Sequence, residues 1–287
     1  MSRKINTFCA FAFILAIGPL ETGCGSSDEI VSPPARWVLT MSDDFDGAEG
    51  TPPDATMWTY DVGGDGWGNG QLEFNTDRVE NVSLDGQGHL QIVALEESYM
   101  GNDYTSGRIK TQVFVCDDDD KKCGFDQKYG RFEARIQLPE GQGLWPAFWM
   151  LGANVDEVPW PGCGEIDVME YQGQRPKRVF GTLHGPGYSG GESISGDFEL
   201  DGDETFADDF HVFAVDWDPG RIVFSVDGEV YHSVNSSSVP GDWVFDHEFF
   251  VILNLAVGGT LGGPVGPDTV FPAKILIDYV RIFERPQ

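Results

Sequence analysis

Three carboxylates stand within six positions of one short stretch, "GCGEIDVMEY": Glu165, Asp167 and Glu170. Two carboxyl groups facing one substrate suit glycoside hydrolysis, where one attacks the sugar carbon and the other protonates the departing oxygen. A third carboxylate between them repels the charge of the acid and helps keep its proton on. The same three side chains also suit a calcium or magnesium ion, or plain surface charge in an acidic protein. Their spacing is awkward for any regular element. A helix, turning about 100° per residue, scatters them around its axis. A flat strand puts Glu165 and Asp167 on one face and Glu170 on the other. A β-bulge at Val168 or Met169 inserts one residue and resets the alternation. All three carboxylates then line one face.

The surrounding sequence supplies strands to carry such a site. In "RFEARIQL" (131–138), Phe132, Ala134, Ile136 and Leu138 take one face and Arg131, Glu133, Arg135 and Gln137 the other. "RIVFSVDGEVYHSV" (221–234) holds an Asp-Gly pair between two strand-like runs, a hairpin signal. "FHVFAVDW" (210–217), "FFVILNLAV" (249–257) and "KILIDYVRIF" (274–283) are strands by their β-branched and aromatic content. No sustained 3.6-residue amphipathic stretch follows residue 20. Gly (37) and Pro (17) are as plentiful as turn-rich β architectures require. One all-β domain over residues 36–285 is predicted, with a groove on one curved sheet.

The formal charge of −29 excludes nucleic acid, whose phosphates need cationic partners. It also disfavours a polyanionic substrate.

The first residues read as an export segment. Arg3 and Lys4 precede the apolar run "FCAFAFILAI" (8–17), which is too short for a membrane-spanning helix of about 20 residues. Residues 1–23 are expected to be a signal peptide and 24–35 a polar tether. The exit "LETGCGSSDE" resembles a bacterial lipoprotein signal, with cleavage before Cys24 and a lipid anchor on that cysteine. Glu21 departs from that pattern by standing where an aliphatic residue is usual, and plain secretion is the alternative. Either way the mature protein leaves the cytoplasm, with the cell envelope as the lipoprotein's destination. Cys116 and Cys123 are close enough to bridge a loop in an oxidising compartment. Cys163 is left over, two residues before Glu165, as a catalytic thiol or a small packing residue in the cleft wall.

"GEIDVMEY" resembles the signature of family 16 glycoside hydrolases in the bulged form of the laminarinase-like endo-β-1,3-glucanases. "GWGNGQLEFNT" (66–76), "TSGRIKT" (105–111), "YGRFEARIQLPEGQGLWPAFWMLG" (129–152), "GTLHGPGYSGG" (181–191), "FHVFAVDWDPGRI" (210–222), "FFVILNLAVGG" (249–259) and "DYVRIF" (278–283) match in the family's order. The resemblance implies a β-jelly-roll sandwich with the catalytic strand in its concave sheet. It implies cleavage with retention of configuration, Glu165 as nucleophile, Glu170 as general acid/base and Asp167 as the assisting carboxylate. Retention places the two catalytic carboxyl groups about 5–5.5 Å apart.

Trp145 and Trp149 fall where relatives stack sugar rings, although tryptophans also serve in cores. Asn69, Arg108 and His184 match polar positions that contact the sugar in relatives, and a structural histidine is the other reading of His184. Arg108 is the one cation assigned to the cleft. Catalysis needs no cofactor. A structural calcium ion is frequent in the family, and Asp44, Asp278 and a backbone carbonyl near Gly88 match its ligands, with Asp44 standing where Glu is commoner. The implied partner is a neutral polysaccharide such as laminarin, cut internally by a monomer. Mixed-linkage glucan or a galactan is the alternative substrate. Binding without turnover is the other class, disfavoured because both glutamates are present.

Overall fold

The computed structural model describes residues 37–116 and 121–286. The expected signal peptide (1–23), the expected tether (24–35) and the Cys24 anchor site lie outside the described residues. Described residues from 37 onward fall in one unit, and its regular structure is nearly all strand. Its helical content is one four-residue α-helix, Gly259–Gly262, and two 3-10 turns.

Two antiparallel-rich sheets face each other as a jelly-roll sandwich. The larger sheet carries Gly130–Gln137 between His211–Asp218 and Ala273–Glu284. The inward side chains of Gly130–Gln137, Phe132, Ala134 and Ile136, are fully buried, as their alternation predicts. Each contributes its transfer free energy, roughly 1.5–3 kcal/mol for a large apolar side chain. Arg221–Val226 and Glu229–Asn235 form the predicted hairpin. Its Asp227 and Gly228 both have positive φ, 50° and 83°, the turn that matches strand twist.

The smaller sheet orders Ile194–Glu199, Arg178–His184, Glu165–Tyr171, Leu144–Gly152, Phe249–Val257, Arg108–Lys110 and Thr59–Tyr60. Phe148, Met150, Ile166, Met169, Leu183, Val251 and Leu253 point from it into the core. Opposite side chains on the same strands form the outer face, and this face holds the cleft. Cys116 and Cys123 are disulfide-bonded, with Cα atoms 5.7 Å apart.

Candidate active site

Chain direction into the catalytic strand is set by Gly164, whose φ of +75° is favourable for glycine alone; a Cβ there would also meet Phe249 Cζ at 2.9 Å. Glu165–Tyr171 then pairs with Arg178–His184 as Glu165↔His184, Asp167↔Thr182 and Glu170↔Phe180. Between the last two pairs, Val168 and Met169 stand opposite Gly181 alone. On the other side Met169 faces Phe148, and the register shifts before Trp149. This is the bulge that the carboxylate spacing requires. Both bulge residues are buried, and Glu165, Asp167 and Glu170 share the outer face.

His184 closes the group. Its Nε2 lies 3.2 Å from Asp167 Oδ2 and 3.7 Å from Glu165 Oε1. Its Nδ1 accepts the Gly190 N–H at 3.0 Å, so the neutral ring carries its proton on Nε2 and presents that N–H to the carboxyls. A metal at these three residues would need the Nε2 lone pair, which this tautomer does not offer, although the three ligand atoms lie within 4.8 Å of one another.

All three carboxyls are pushed upward in pKa. Burial acts first on Glu165, then repulsion from Asp167, against the pull of His184 and Trp160. Burial and the Glu170 charge raise Asp167, while a hydrogen bond with Glu165 opposes them. Burial raises Glu170; His184, Thr182 and Trp145 hold it down. Thr182 Oγ1 donates to Glu170 Oε2 at 3.2 Å. The Trp145 indole N–H is directed at Glu170 without closing a full hydrogen bond. Three carboxylates this close cannot all be ionised near neutral pH, so protons are shared among them.

The proposed sugar-contacting residues gather along the same face. Trp149 is half-buried and donates from Nε1 to Asn254 Oδ1 at 2.8 Å. Trp145 is nearly buried. Asn69 is exposed on a loop whose carbonyl accepts the Thr260 N–H, and Gly259 lies against both that carbonyl and the Trp145 ring. Arg108 is clamped between the rings of Trp67 and Trp149, 4.6 and 4.7 Å from their centroids, with Asp61 Oδ2 2.8 Å from its Nε.

The sequence reading missed Trp67. It also missed Trp160, which is 46% exposed with its ring 5.9 Å from that of His184. Trp67 stands in the motif at 66–76 and Trp160 two residues before the carboxylate stretch, and a search for aromatics flanking those segments would have found them.

Two expectations are corrected. Arg108 is not the one cation on this face: Lys110 follows it on the same face, sharing Asp61, and Arg178 precedes Phe180. Arg108 and Lys110 share the one carboxylate of Asp61, and Arg178 pairs with Asp197. The calcium ligands do not fit either. Asp44 Oδ1 accepts from Arg281 and Asp278 Oδ2 from Arg135, at 2.7 and 2.8 Å, while Gly88 lies beside Asp46. Each carboxylate charge is already matched by a guanidinium, where a calcium site needs unmatched oxygen donors. Cys163 is fully buried, and burial pushes its thiol up to about 11, which makes it a packing residue of the cleft wall.

A β-sandwich that lines one face with close carboxyls, indoles from half-buried to exposed, and paired polar groups defines a carbohydrate-cleaving enzyme. Residues 90–268 match the model of glycosyl hydrolases family 16, and the chain belongs to that family. It is similar to a beta-glucanase of Rhodothermus marinus, 38% identical over 98% of this chain and 96% of the relative. The laminarinase catalytic domain from Thermotoga maritima is 42% identical, with a TM-score of 0.79 over 88% of this chain and 99% of that one. The endo-β-1,3-glucanase from Pyrococcus furiosus is 41% identical, with the same TM-score over 88% and 95%.

Proposed function

We propose that this protein is a retaining endo-β-1,3-glucanase that cuts neutral glucans such as laminarin. The observation that carries the reading is the bulge that brings Glu165, Asp167 and Glu170 to one face beside His184. Glu165, ionised, attacks the anomeric carbon while Glu170 donates its proton to the departing glycosidic oxygen. Water then breaks the glycosyl–Glu165 bond, giving its proton back to Glu170. Asp167 shares a hydrogen bond with Glu165, so the two hold protons in common and the Asp167 charge acts on that neighbour. The Nε2–H of His184 adds a donor on the same side.

The test is initial rate on laminarin, lichenan, carrageenan and agarose, with product sizes followed over time. Laminarin turned over fastest, with early oligosaccharides of mixed length, is the expected result. Lower activity on lichenan is expected, because its β-1,3 units fill part of the same groove. Higher specific activity on carrageenan or agarose than on laminarin would overturn the reading.

Export belongs to the same proposal, with Cys24 as the lipid-bearing residue. The basic start, the short apolar run and the small residues around Cys24 support it. So does the Cys116–Cys123 disulfide, which suits an oxidising compartment. Fatty-acid labelling of the full chain, lost in Cys24→Ser, is the check; an unlabelled chain in the culture medium would point to plain secretion.

A further inference from the structure

The outer face continues past the catalytic strand. Phe180 lies directly opposite Glu170, and on the next strand Asp197 lies directly opposite Phe180. Arg178, two residues before Phe180, is on the same face opposite Glu199. Its guanidinium grips one carboxylate oxygen of Asp197 with two nitrogens, Nη2 at 2.7 Å and Nε at 3.0 Å, and rests 5.7 Å from the centre of the Phe180 ring. Phe180 is half-buried, and the Arg178 and Asp197 side chains are 35% and 43% exposed. The Thr182 hydroxyl that bonds Glu170 is 3.0 Å from the Ser195 hydroxyl on that same outer strand. Beyond Arg178 a cavity of about 310 Å³ opens between Arg175, Lys177 and Glu199. Neither attack by Glu165 nor protonation by Glu170 uses any of these groups.

Their chemistry is that of a sugar platform. An accessible ring can cover the apolar face of a pyranose. A charged pair at its edge offers both donors and acceptors to hydroxyl groups. Arg178 itself is matched by Asp197 and faced by Glu199, so the Phe180 platform offers no unpaired cation, and Arg175 and Lys177 lie beyond it at the cavity. Position then says which sugar it holds. Trp67, Arg108, Trp145 and Trp149 all lie on one side of the catalytic strand. Phe180 lies on the other, beside the acid that protonates the leaving oxygen.

We propose that Phe180, with Arg178 and Asp197, forms a subsite for the departing glucosyl units on the acceptor side of the cleft. The proposal rests on the β-1,3-glucanase reading and adds to it. It also gives the subsite a second consequence. A sugar held there can replace water in the second step: its hydroxyl oxygen bonds the anomeric carbon, the bond to Glu165 breaks, and the hydroxyl proton passes to Glu170.

The test compares two substrates in wild type, Phe180→Ala, Phe180→Tyr and Arg178→Ala. Laminarihexaose must fill the acceptor side with glucosyl units, whereas an activated aryl β-laminaribioside places only its aryl group there. In Phe180→Ala the ratio of kcat/KM on hexaose to that on the aryl glycoside falls about tenfold, chiefly through KM on hexaose. Transfer to added laminaribiose, relative to hydrolysis, falls with it. Phe180→Tyr keeps the ratio. Arg178→Ala, a change on the exposed side, lowers the ratio in the same direction by a smaller factor. Equal losses on both substrates in Phe180→Ala, or an unchanged ratio in both alanine variants, would overturn the subsite alone. A wild-type protein that cleaves neither substrate would overturn the glucanase reading itself and the subsite with it.

Discussion

At the level of single residues, the two glutamates divide the work of one reaction. Replacing either glutamate with glutamine keeps shape and removes charge. Glu165→Gln and Glu170→Gln are each expected to lower kcat on laminarin by at least about a thousandfold, with folding intact, since each removes a group that makes or breaks a bond. They separate on an aryl glycoside, whose leaving group needs little protonation. Glu170→Gln should still release the aryl group, and azide should speed it by standing in for the missing base; azide rescue of Glu165→Gln alone would reverse the assignment.

The pH profile follows from the same charges. Activity needs Glu165 ionised and Glu170 protonated, and both pKa values are raised by burial. The rate should therefore rise only above the usual carboxylate range, about pH 4, and fall when Glu170 loses its proton. Asp167→Asn removes the repelling charge from the cluster, so both limbs should move to lower pH. Limbs that stay in place would show that Asp167 does not tune its neighbours.

Glu73 is a different kind of carboxyl. It is fully buried, accepts the Val257 N–H at 2.8 Å and a bond from Asn75, and burial raises it to about 7 despite Arg108 nearby. A folded pKa above the unfolded value of about 4.3 means stability present in acid and lost as pH rises through 7. Glu73→Gln should remove that loss, by about 4 kcal/mol at most, seen as a gain in Tm over wild type at pH 8 that vanishes at pH 4.

At the level of elements, the bulge makes an asymmetric prediction. Deleting Met169 leaves regular alternation, so Glu165, Asp167 and the second glutamate still share a face. Inserting one alanine after Asp167 also returns the second glutamate to that face in a regular strand, but it doubles the two-residue span, Thr182 to Phe180, that now separates Asp167 from Glu170 across the ladder. The insertion should abolish activity as completely as Glu170→Gln, because the acid is then carried away from the bond that Glu165 attacks and from its Thr182 partner. The deletion should keep part of the activity. A dead deletion variant that melts like wild type would contradict this account of the strand.

These elements were largely legible in the sequence. Period-2 alternation in "RFEARIQL" and the Asp-Gly turn at 227–228 are local signals, and local signals set strands and hairpins. The bulge was legible because three acids had to be reconciled with one face. What stayed hidden depends on neighbours far along the chain. Arg281 and Arg135 take up Asp44 and Asp278, and nothing in "SDDFDG" or "DYVRIF" alone announces the full set of partners. Trp67 and Trp149 clamp Arg108 only because their strands and loops meet across the sheet.

At the level of the whole molecule, 47 acidic side chains face 18 basic ones, and the excess acts on stability and on substrate choice in opposite ways. Like charges at the surface repel and oppose the compact state. Salt screens that repulsion, since the Debye length shrinks from about 10 Å at 0.1 M to about 3 Å at 1 M. Raising NaCl from 0.05 to 0.5 M should therefore raise Tm by a few degrees, about what 1 kcal/mol gives a domain of this size. A neutral glucan has no charge for the field to act on. It is held by stacking and hydrogen bonds in a cleft whose cations are engaged in ion pairs, Arg108 and Lys110 with Asp61 and Arg178 with Asp197. The rate on laminarin, below saturation, should thus stay flat over the same salt range. A sulfated polymer should instead gain from salt, as its repulsion from the protein is screened. A laminarin rate that fell steeply with added NaCl would mean that unmatched charge in the cleft draws the substrate in, and the neutral-substrate argument would be lost.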